Sequence, residues 1–103
     1  EAGRDVCAAT IAEVIKEMEI LRNEPVAQDE LDLVRNYMIG SLLGDLDGPF
    51  QLIGRWKSYV LNGLDENYFY KSIETIKSVT PQELQSLANT YLHPDDFYEL
   101  VVI

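Results

Sequence analysis

The chain has 103 residues, 47% of them apolar, and 18 acids against 8 bases give it a net charge of −10. That apolar content suits one folded domain with a single core and excludes a disordered chain. The bases (Arg4, Lys16, Arg22, Arg35, Arg55, Lys57, Lys71 and Lys77) are scattered, which argues against nucleic acid and anionic membranes as partners, and no apolar run is long enough to span a bilayer.

Residues 5–22 predict a first helix. Cys7, Ile11, Val14, Met18 and Leu21 recur in steps of four and three, the helical period. Asn23, Glu24 and Pro25 end it, because proline disfavours helix at the residue before it. A second helix is expected from Gln28. Val26 and Leu31 form a hydrophobic-staple pair and Glu30 takes the third position of a capping box, but Ala27 stands where a hydroxyl cap belongs. Its buried stripe is expected to be Leu31, Val34, Met38 and Leu42. Gly44 to Pro49 is rich in helix breakers and predicts a turn.

A third helix is expected over 50–62, with Ile53, Trp56, Val60 and Leu64 on one face and Asn62-Gly63 as a left-handed terminator. Asp65 is positioned to cap a fourth helix, in which Phe69, Ile73, Ile76 and Val79 recur. The fifth has the fullest start signal: Val79, the Thr80 cap, Pro81 in the first turn, Glu83 completing the box and Leu84 the staple. Its core face is expected to be Leu84, Leu87, Ala88 and Tyr91. A turn follows at His93–Asp96. Phe97 to Ile103 (FYELVVI) then reads as a β-strand from its β-branched and aromatic content. A lone strand needs a ladder, so the expectation is one partial domain over 1–103, α+β in class: about five helices and a C-terminal strand belonging to a helix-on-antiparallel-sheet domain. The start at Glu1 rather than Met, with no signal-like apolar run after it, adds the expectation of an excised piece or a processed product.

Chemistry-bearing patterns are sparse, and the catalytic, cofactor-binding and metal-ligating sets are all expected to be none. Cys7 lies on the apolar stripe and reads as a small buried hydrophobe. His93 is the only histidine and reads as an exposed turn residue, so a two-histidine zinc motif does not exist within these residues. The paired acids Glu17/Glu19, Asp29/Glu30 and Asp95/Asp96 read as solvated helix and turn surface. Asp45-x-Asp47-Gly48 has the opening of a calcium loop, but counting on from Asp45 puts Trp56 where the bidentate glutamate belongs, so it reads as turn chemistry. The aromatics at Tyr59, Tyr68, Phe69 and Tyr70, and at Tyr91, Phe97 and Tyr98, lack interleaved bases and read as inter-helix packing or as a docking face for another domain.

The order of these segments resembles the pitrilysin/insulinase-type zinc metallopeptidases. The resemblance is carried by Glu17-Met18-Glu19-Ile20-Leu21-Arg22 with Pro25-Val26, Glu30-Leu31 and Val34-Arg35-Asn36-Tyr37. It continues in Val60-Leu61-Asn62-Gly63-Leu64 with Tyr68-Phe69, then in Ile76 and Val79-Thr80-Pro81-Gln82-Glu83-Leu84. Leu87-Ala88, Tyr91-Leu92-His93-Pro94-Asp95 and Leu100-Val101-Val102-Ile103 close it. It implies a C-terminal, non-catalytic segment of an insulinase-like peptidase, acting as scaffold and wall of a peptide-enclosing chamber. No cofactor is expected here; zinc is implied for a parent or partner. The implied partners are a catalytic zinc-bearing domain or subunit and peptide substrate. Separately, the exposed sheet edge and uncovered apolar helix faces expected of such a piece predict self-association of the isolated chain. Ala27, and Asn89-Thr90 before Tyr91, depart from the family pattern, and no substrate-contacting residue carries over. Two alternatives stand beside this reading: a structural or assembly subunit without peptidase activity, and an acidic helical interaction module.

Overall fold

The computed structural model describes residues 3–102, with only the backbone of Arg4. Five α-helices follow in chain order: α1 (Cys7–Asn23), α2 (Gln28–Gly44), α3 (Pro49–Leu61), α4 (Glu66–Ser78) and α5 (Pro81–Tyr91). Short 3-10 turns at Arg4–Val6 and Pro94–Asp96 precede α1 and follow α5. They belong to two compact units, one of Glu1–Ala27 with Thr80–Ile103 and the other of Gln28–Val79.

In the first unit α1 packs on α5. The pair is pinned by polar side chains as well as apolar ones. Gln85 Nε2 and Asn89 Nδ2 both donate to the Arg22 carbonyl at the end of α1, at 3.1 and 2.8 Å, occupying an acceptor that a helix terminus leaves free. Ala88 is buried on α5, its small side chain allowing close approach. The start of α5 has the complete capping box: Glu83 N donates to Thr80 Oγ1 at 3.2 Å, and Thr80 N donates to Glu83 Oε2 at 2.8 Å.

In the second unit α2 packs on α4. The inward side of α2 carries Leu31, which is buried, and the half-buried Asp32, Arg35, Ile39 and Leu42. The expected stripe through Val34 and Met38 is therefore displaced, since both are exposed. Arg35 explains the shift. Its Nε donates to the Ile76 carbonyl at 2.9 Å and its Nη2 to the Val79 carbonyl at 2.7 Å, so the guanidinium satisfies acceptors at the C-terminal end of α4, where positive charge is favoured. Asp32 completes the arrangement by pairing with Arg35. At the other end of α4, Asp65 caps by accepting from Tyr68 N. Gly63 (φ +67) ends α3: Leu64 N reaches Tyr59 O at 2.9 Å and Gly63 N reaches Val60 O at 3.2 Å, the two bonds of a Schellman turn.

The α+β expectation is overturned. The described residues are 77% helix and contain no strand, so neither the expected C-terminal strand nor a sheet behind the helices exists among them. Residues 97–102 have no regular structure, and Ile103 lies outside the described residues. The physical reason is that β-propensity favours a pleated, paired environment but does not create one. No other described segment supplies a ladder, and after the bond from Phe97 N to Pro94 O no turn or loop backbone bond is made by this stretch.

Candidate interaction surface

The reactive side chains expected to be inert are dispersed. Cys7 opens α1 and is a half-buried free thiol. His93 is half-buried rather than exposed; it precedes the 3-10 turn, where its carbonyl accepts from Asp96 N at 3.0 Å. Among the described residues no group of three histidine, cysteine or carboxylate side chains is placed to hold a metal, and none of the helices there is long and apolar enough to cross a membrane. Asp45 and Asp47 lie in the turn between α2 and α3. Asp45 Oδ2 accepts from Arg55 Nη2 at 2.8 Å, so a cation already occupies it.

Apolar surface is the more informative feature. On α3 most of the face expected to be buried is open: Ile53 is 64% exposed and Val60 58%, with Trp56 also exposed, while Leu64, past the helix end, is half-buried; Phe50, 84% exposed, extends the open face. α3 meets α4 instead through Arg55 and Tyr59. The Arg55 guanidinium sits 5.7 Å from the Phe69 ring centre, a cation–π distance, and Tyr59 meets Tyr68 edge to face at 5.5 Å. These contacts border an open cleft of about 340 Å³ lined by Leu46, Leu52, Trp56, Phe69 and Tyr70. Within the aromatic cluster Tyr59, Tyr68 and Phe69 make contacts between α3 and α4, whereas Tyr70, Tyr91 and Tyr98 are exposed.

The first unit has a second apolar trough, along α1. Val14, Met18 and Leu21 run beside Thr10, Glu13 and Glu17. Further round the same helix, Ile11, Val14, Ile15 and Met18 face Phe97, Tyr98 and Glu99 of the extended tail. Lys16 is held by Glu13 at 2.8 Å, a hydrogen bond and a charge attraction that push its ammonium pKa up. Glu83 is shifted down by the Thr80 backbone N–H and hydroxyl, and Asp65 down by the Asn67 side-chain amide and then the Tyr68 backbone N–H. Those two carboxylates serve helix starts.

Sequence reasoning missed Arg35 as the residue that closes α4, and it missed the outward turn of α3. Only the placement of an arginine on an otherwise apolar helix flank could have signalled the first. The chain was compared with protein-family models, with curated proteins and with solved structures, and nothing in any of the three matches it.

Proposed function

We propose that this chain is a non-catalytic, helical scaffold segment of an insulinase-like zinc metallopeptidase, contributing to the wall of a peptide-enclosing chamber. The observation that carries the reading is the uncovered face of α3: Phe50, Ile53, Trp56 and Val60 recur at helical spacing and none is covered. A periodic apolar face of this size is characteristic of a docking surface. The ordered motifs from Glu17 to Val102 supply the kind of neighbour, a zinc-bearing domain or subunit. His93 is the single imidazole, so these residues do not fit a zinc site and no chemical step is assigned to them. The chain's role is to hold shape, with an acidic surface facing peptide.

The first test is the sequence of the polypeptide that carries these residues and of the chain that co-purifies with it. A His-x-x-Glu-His with a later glutamate in either one supports the reading. Its absence from both, with the assembly intact, favours a structural subunit without peptidase activity. Peptide hydrolysis by the purified chain alone would overturn both readings.

A further inference from the structure

We infer that the trough along α1 is a docking site for a basic amphipathic helix of a partner protein. Its floor is Ile11, Val14, Met18 and Leu21, of which Val14 and Leu21 are exposed. One wall is the flank of α1 that carries Glu13 and Glu17; the other is the extended tail, with Phe97, Tyr98 and Glu99. From Thr10 to Leu21 the trough follows about three helical turns, roughly 16 Å at the α-helical rise. That length suits a short helix whose apolar stripe lies on the floor.

Charge selects the occupant. Glu13 is engaged by Lys16, which leaves Glu17 on one wall and Glu99 on the other to set the charge of the site. Of the two bases on α1, Lys16 is already paired with Glu13 and Arg22 is half-buried. A second copy of this chain would bring the same acids against these, in a molecule of net charge −10, so a cationic partner is preferred over self-docking. The cleft between α3 and α4 has no such preference, because Arg55 and Glu66 both line it. The α1 site rests on residues distinct from the α3 face and stands whether or not the peptidase reading does.

The test titrates the full chain into a dye-labelled peptide of leucine and lysine, patterned as an amphipathic helix, and reads fluorescence anisotropy. A glutamate-for-lysine version of the same peptide is the control. Saturable binding of the lysine peptide alone, weakening as salt is raised, is expected. The double variant Glu17→Gln/Glu99→Gln should bind roughly fivefold more weakly, and Val14→Asp should abolish binding, with helical circular dichroism retained in both. Glu74→Lys, in the other unit, should leave binding unchanged. The proposal fails if both peptides bind alike, if neither binds, if the trough variants bind as tightly as the parent, or if the peptide merely competes with a dimer of the chain.

Discussion

Arg35 shows how one side chain can govern the orientation of a helix. It reaches carbonyls 41 and 44 residues further along the chain, and its guanidinium matches two acceptors that a C-terminal helix end leaves unpaired. Replacing it by methionine keeps the stem's apolar packing and removes the donors. Arg35→Met should destabilise the protein by about 2 kcal/mol, measured by urea unfolding, while Arg35→Lys should recover only part of the loss because an ammonium cannot span both acceptors. Gly63 is the second decisive residue. Open space surrounds the position where a side chain would begin, so the penalty for Gly63→Ala is purely conformational: about 1 kcal/mol for holding an alanine at φ +67. Full stability in that variant would mean that α3 ends without the left-handed turn.

At the scale of elements, the capping box of α5 links sequence to pH. Glu83 has a lowered folded-state pKa because it accepts from the Thr80 backbone N–H and hydroxyl. A depressed carboxylate binds protons more weakly when folded than when unfolded. Its contribution is therefore complete above the ordinary glutamate value of 4.5 and is lost as pH falls through the lowered one. Thr80→Ala should cost about 1 kcal/mol at neutral pH, and the gap between variant and parent should narrow as acid protonates Glu83; a gap constant down to strongly acidic pH would sink this account. The caps show what was legible. Asp65, Thr80, Glu83 and Asn62-Gly63 each act on backbone groups within a few residues, so local sequence encodes the helix ends closely. The rest depends on distant partners. Residues 97–102 have strand composition but no ladder, because pairing is a property of two segments and the sequence of one carries only propensity. The inward side of α2 was misplaced because the acceptors of Arg35 lie on another helix. The α3 stripe was correctly periodic, but period alone does not say whether a face is covered by its own unit or left for a partner.

For the whole molecule, two opposing forces set its behaviour in solution. Open apolar surface on α3, together with the tail residues Tyr98, Leu100 and Val102, favours association of the isolated chain. The tail adds backbone groups with no ladder partner, the feature that makes exposed edges adhesive. Net charge of −10 opposes association by mutual repulsion. Salt separates the two, since it screens exposed charges over roughly 10 Å at about 0.1 M and leaves apolar contact in place. The average mass in light scattering should therefore rise with protein concentration, and rise further with added sodium chloride. Phe50→Glu with Ile53→Glu should lower the average mass under both conditions by removing the α3 share of the adhesion, and because these side chains are already solvent-exposed the replacement costs folding little. This response has the opposite sign to the one expected for a cationic helix on α1, whose binding weakens with salt. A chain that stays monomeric at high salt without those substitutions would show that the α3 face is not adhesive, and would remove the observation on which the scaffold reading stands.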